Sequence, residues 1–161
     1  MIRRALLVLL MAGGAALAQV ALAQASSDCR ADTVLLRGDW GQARFSVEIA
    51  DTPDTRSRGL MFRETMAKSA GMLFVYDTPQ RATFWMRNTL ISLDMIFADE
   101  RGVVRHVHHN AIPGDETVID GGRGILAVLE INGGLARAMG IVPGSQMRHP
   151  AFASETAAWP C

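Results

Sequence analysis

Short apolar runs recur between turn signals along most of the chain, and Gly, Pro and Asp separate them. Runs of this length and spacing are typical of β-strands in an all-β domain. The predicted strands are Thr33–Arg37, Ala43–Ala50, Met72–Tyr76, Ala82–Arg87, Leu93–Ala98, Val103–His109, Gly124–Ile131 and Gln146–Pro150. We therefore expect a mainly β protein, a compact single-domain antiparallel β-sandwich or barrel-like fold.

Two short α-helices are expected between the strands. The first follows Thr52, which suits the N-cap position and precedes a proline, and it is expected to run to about Phe62. The second is expected from Asn132, as its cap, to Met139. Gly140 follows as the left-handed residue that ends it.

The amino-terminal segment resembles a secretory signal peptide. A basic start is followed by an apolar run and by the small-x-small site Ala21-Leu22-Ala23. Residues 1–23 are the predicted signal peptide, and a cut after Ala25 is the alternative. We therefore expect a periplasmic or secreted protein with no membrane span after cleavage.

Charge and length restrict the class of protein further. The chain has 16 basic and 16 acidic residues, and no run of Lys or Arg that would mark a nucleic-acid-binding surface. The mature chain, 24–161, has the length of one domain with a single core. We expect the core to span about 34–150, with a C-terminal coil over 151–161, in a monomer.

The two cysteines, Cys29 and Cys161, lie near opposite ends of the mature chain. Two thiols in an oxidising compartment usually pair, so a disulfide that holds the two ends together is expected. Their spacing is not that of a C-x-x-C redox motif, which disfavours a redox role.

Two carboxylates fall at positions that should be buried. Glu130 alternates with Leu126 and Val128 in an apolar strand, and Asp94 lies beside Leu93 and Met95. A buried carboxylate needs a partner, and for Glu130 the expected partners are Arg58 first and Arg87 second. The pair could either fix strand ends or act as the acid and base of a small hydrolase.

Metal binding is a further alternative. His106 and His108 share one face of a predicted strand, and thioethers can bind copper outside the cytoplasm. Two histidines are too few to form a metal site, and the methionines lie in apolar runs, which favours core packing. These methionines are Met61, Met66, Met72, Met86 and Met95. No cofactor and no metal ligand are expected.

Several blocks together resemble the domain-of-unknown-function family 192. They are Arg58–Arg63, Gly71–Phe74, Phe84–Thr89, Leu93-Asp94 and Leu129–Gly134, in the family's order. The resemblance covers roughly residues 34–150 and implies a compact, mostly β domain with short helices. It implies no established activity, substrate or cofactor. One departure is Ser92, where the family commonly has Pro.

The resemblance also singles out five residues as a candidate ligand site. They are Arg58, Trp85, Asn88, Asp94 and Glu130. If they converge, an indole and several polar groups would form a pocket for a small polar ligand. We therefore expect a non-catalytic binding module for such a ligand or for an envelope component. The competing hypothesis is that Trp85 is core and the polar groups only lock the fold.

Overall fold

The computed structural model describes residues 29–152 and 155–161. The predicted signal peptide lies outside these residues. Within them the chain forms nine strands and two helices. The elements are β1 (Thr33–Gly38), β2 (Gly41–Ala50), α1 (Pro53–Arg58), β3 (Ala70–Gln80), β4 (Thr83–Phe84), β5 (Leu93–Asp99), β6 (Val104–Ala111), β7 (Ile119–Asp120), β8 (Ile125–Asn132), α2 (Leu135–Met139) and β9 (Gln146–Arg148).

Seven of the strands form one curled sheet in the order β6-β5-β8-β3-β2-β1-β9. Strands β4 and β7 form a separate two-stranded sheet. The expected mainly β, single-domain fold is confirmed. The large sheet is antiparallel except at β2 and β3, which run parallel because α1 and the segment after it carry the chain back between them.

The central strands β5 and β8 of the large sheet are buried on both faces. All seven strands contribute to the first core, which includes Val34, Phe45, Leu73, Val104, Ile96, Leu129 and Met147, and α2 packs there through Ala136. The second core lies on the opposite face and includes Met72, Phe74, Met95, Phe97 and Val128. The small sheet and the segment around Leu60 cover the second core.

The strand predicted at Ala82–Arg87 is much shorter than expected, because β4 ends at Phe84. The next residues form a turn instead: the Met86 amide donates to Asp115, and Asn88 has a positive φ of 55°. The first helix also ends earlier than expected, at Arg58, because Gly59 takes a positive φ of 48°.

The prediction that Asn132 caps the second helix is wrong. Asn132 is the last residue of β8, and its side-chain amide donates to the carbonyls of Met66 and Ala67. A carboxylate from the neighbouring strand takes the capping role. Asp94 accepts hydrogen bonds from the amides of Ala136, at 2.7 Å, and Asn110, at 2.8 Å.

The predicted disulfide between Cys29 and Cys161 is present. It joins residues 132 positions apart and brings the two ends of the described chain together. Further contacts hold the same region, since the His149 ring bonds to the Ala31 carbonyl. Within the described residues, no helix is both long enough and apolar enough to cross a membrane.

Replacing Asp94 with alanine should destabilise the fold. Asp94 is fully buried, and its carboxylate accepts hydrogen bonds from the main-chain amides of Asn110 and Ala136. The change leaves both amides without this acceptor. We expect a loss of about 2–5 kcal/mol in the free energy of unfolding, measured by urea denaturation. Asp77→Ala, at an exposed position, is the matched control. An Asp94 variant as stable as this control would contradict the capping role.

Replacing both cysteines with serine should also destabilise the protein. The disulfide closes a loop of almost the whole described chain. Its loss therefore increases the conformational entropy of the unfolded chain. We expect a decrease of at most about 5 kcal/mol in the free energy of unfolding. An unchanged denaturation midpoint would show that the remaining contacts hold the two ends unaided.

Candidate functional site

A cavity of about 320 Å³ opens on the second-core face of the sheet, between β3, β4, β8 and the α1 segment. Four aromatic side chains contribute to its walls: Phe74, Tyr76, Phe84 and Trp85. The charged side chains that line it, among the described residues, are Arg56, Arg58 and Glu130. The cavity therefore combines an aromatic wall with two cations and one carboxyl group.

Glu130 lies on the central strand β8. Its neighbours across the two adjoining strands are Met72 on β3 and Met95 on β5, both in the second core. Its side chain is buried, with 4% of the residue exposed, as the sequence predicts. This apolar setting disfavours the charged form, and burial raises the pKa of Glu130 to about 8.

The predicted arginine partner of Glu130 is absent. Among the described residues, the Glu130 carboxyl forms no ion pair and no side-chain hydrogen bond. Arg58 lines the same cavity without pairing with it. Arg87 lies beyond the end of β4, where it stacks on Trp85 at 5.5 Å and approaches Glu116 at 3.9 Å. Strand alternation correctly predicts that Glu130 is buried, but it does not determine which loop residue would form an ion pair with it.

The two arginines of the cavity differ in how they are held. Arg56 donates to the main-chain carbonyls of Asp51 and Val75, and its guanidinium lies 5.5 Å from the centre of the Tyr76 ring. Arg58 is exposed, and its side chain forms no ion pair or hydrogen bond with the described residues. Arg58 is therefore the cation that can still bind another group.

Tyr76 belongs to the site although sequence reasoning did not select it. Desolvation raises the pKa of its hydroxyl, although the Arg56 charge and a hydrogen bond with Gln80 act in the opposite direction. Phe74 and Tyr76 alternate with Met72 along β3, so all three share the face that Glu130 occupies. That alternation is the signal in the sequence that could have identified them.

The structure separates the five predicted site residues. Arg58, Trp85 and Glu130 line the cavity, and Trp85 is 45% exposed rather than core. Asn88 does not line it; its carbonyl accepts from the Phe62 amide at 2.8 Å, which ties the turn after β4 to the α1 segment. Asp94 lies outside the cavity.

Asp94 and Glu130 point to opposite faces of the sheet. Asp94 is paired with Ile131, and Glu130 is paired with Met95. Residues directly opposite each other share a face, and neighbouring residues on a strand do not. The two carboxylates cannot meet, so the acid–base pair that the hydrolase hypothesis requires does not form.

The metal hypothesis also lacks a suitable cluster in the described part of the chain. No group of three or more His, Cys, Asp or Glu side chains there could hold a metal ion. His106 and His108 do share a face of β6, paired with Phe97 and Met95. Three methionines are fully packed in the second core, as core filling predicts: Met72, Met86 and Met95.

Stability should depend on pH through Glu130. Its pKa is about 8 when folded and close to the ordinary 4.5 when unfolded, so between these values only the folded state holds the proton. The free energy of unfolding should fall by about 1.4 kcal/mol per pH unit as the pH rises through this interval. Glu130→Gln removes this contribution. Its stability relative to the wild type, measured by urea denaturation, should therefore increase steadily from pH 5 to pH 8, in line with those pKa values. A constant difference between the two proteins would contradict a neutral, buried Glu130.

Two solved structures resemble this fold closely. A protein of unknown function from Novosphingobium aromaticivorans DSM 12444 is 44% identical, with a TM-score of 0.70 over 71% of this chain and 82% of that chain. A protein from Sinorhizobium meliloti 1021, whose description suggests a transcription regulator, is 37% identical, with a TM-score of 0.69 over 71% of this chain and 90% of that chain.

The curated proteins provide no match to this chain. The family model of DUF192, described as uncharacterized ACR, matches residues 34–149. The matched residues include all of β1 except Thr33, the other strands, both helices and every residue that lines the cavity. The chain therefore belongs to the DUF192 family.

Proposed function

We propose that this chain is an exported, non-catalytic binding module whose small polar ligand occupies the cavity at Glu130. The observation that carries this proposal is the Glu130 carboxyl, buried and without an ion pair or side-chain hydrogen bond among the described residues. A polar group in such a setting costs stability. A ligand that hydrogen-bonds to the carboxyl would offset this cost.

The shape and lining of the cavity support binding of a small molecule. Its volume of about 320 Å³ is at the lower end of the range for small-molecule sites. Phe84 and Trp85 offer aromatic surface on which a flat or apolar part of a ligand can pack. Arg58 and Glu130 offer polar groups that could orient it.

The same lining favours binding over catalysis. Acid–base catalysis on the pattern first considered needs two carboxyl groups, and Glu130 is the only carboxyl among the described residues that line the cavity. No histidine lines the cavity within that part of the chain, so the hydroxyls of Ser57, Thr83 and Thr89 lack an imidazole base there.

Two features support export to the periplasm or beyond the cell. The Cys29–Cys161 disulfide is typical of oxidising compartments, and residues 1–23 have the pattern of a signal peptide. The ligand would then be a small molecule or an envelope component of that compartment.

A ligand screen by saturation-transfer NMR tests the proposal. The panel contains sugars, organic acids, amines and amino acids. At least one compound should bind the wild type and lose binding in Trp85→Ala and in Glu130→Leu. Glu130→Leu replaces a desolvated carboxyl with an apolar side chain, so it should remain folded. Circular dichroism verifies this.

Arg137→Ala, at an exposed position on α2, is the control and should bind like the wild type. The proposal is overturned if no compound in the panel binds. It is also overturned if every compound that binds does so equally well to the Trp85 and Glu130 variants.

A further inference from the structure

We propose that the ligand of this cavity is an organic anion, held through Arg58 and hydrogen-bonded to Glu130; this rests on the proposed function. The charged groups that face the cavity from α1 are Arg56 and Arg58, and β8 contributes Glu130. Tyr76, on β3, is the other titratable group. With Glu130 neutral, the described residues that line the cavity carry two positive charges and no negative charge.

Arg58 is the group that would hold the anion. The Arg56 guanidinium already donates to the carbonyls of Asp51 and Val75, whereas the Arg58 guanidinium has no hydrogen-bond or ion-pair partner among the described residues. A guanidinium can bind a carboxylate through two parallel hydrogen bonds. The aromatic wall beside it would pack against the body of the ligand.

Glu130 would contribute as a donor rather than as a charge. A carboxyl between Met72 and Met95 that forms no ion pair with the described residues is more stable in its protonated form. A protonated carboxyl donates a hydrogen bond, so it can bind a ligand oxygen at the inner end of the cavity. An ionised Glu130 would instead repel an anion. Anion binding should therefore weaken as the pH rises and Glu130 loses its proton.

Three probes of one shape and different charge test this inference by isothermal titration calorimetry: benzoate, benzamide and benzamidine. Benzoate should bind the wild type at least about tenfold more tightly than neutral benzamide, as expected for charge-assisted hydrogen bonds. Cationic benzamidine should bind most weakly. Arg58→Ala should remove the preference for benzoate, and Arg137→Ala should retain it.

The pH dependence provides a second readout, which a merely structural role of Glu130 would not produce. Between about pH 7 and about pH 9 the affinity of the wild type for benzoate should fall about tenfold, because only the protonated fraction binds. Glu130→Gln, whose amide donates at every pH, should bind benzoate with little change over the same interval.

The outcomes separate this inference from the proposed function. If benzamide or benzamidine binds at least as tightly as benzoate, and Glu130→Leu abolishes that binding, the cavity is a binding site but the anion inference is overturned. If none of the three probes binds, the anion inference is overturned as well. The wider NMR screen then decides the proposed function independently.

Discussion

Strand β8 is hydrogen-bonded to β5 on one edge and to β3 on the other, and both of its faces are buried. Its side chains therefore contribute to both cores at once, with Leu129 in the first and Val128 in the second. A strand in this position tolerates apolar residues almost exclusively. Glu130 is the charged residue of β8. Its carboxyl lines the cavity on the second-core face of the sheet.

The two buried carboxylates of this sheet show how similar sequence contexts lead to different roles. Asp94 receives hydrogen bonds from two main-chain amides, so its burial is compensated, and it connects β5 to α2 and β6. Glu130 lies on the neighbouring strand β8, next to Ile131, which pairs with Asp94. Its side chain points to the opposite face of the sheet, and no hydrogen bond with the described residues offsets its burial there. Asp94 is therefore part of the fold, whereas Glu130 lines the cavity without a side-chain partner among the described residues.

The periodicity of apolar residues was enough to predict the mainly β fold, most strand positions and the burial of Glu130, because strand alternation is a local property. The failures concern contacts between distant segments. Asn132 looks like a helix cap in the sequence, but the cap comes from Asp94, whose position depends on strand pairing. In the same way, whether Arg58 pairs with Glu130 depends on how the α1 segment packs over the second core.

The protonation state of Glu130 is the central claim, and it can be observed directly at the atom concerned. Carbon-13 NMR of protein labelled at the glutamate side-chain carboxyls reports each titration, and Glu130→Gln identifies the signal of Glu130 by its disappearance. We expect this carboxyl to titrate near pH 8, well above the ordinary value of 4.5. A Glu130 signal that titrates near 4.5 would show a solvated or paired carboxylate and would contradict a neutral, buried Glu130.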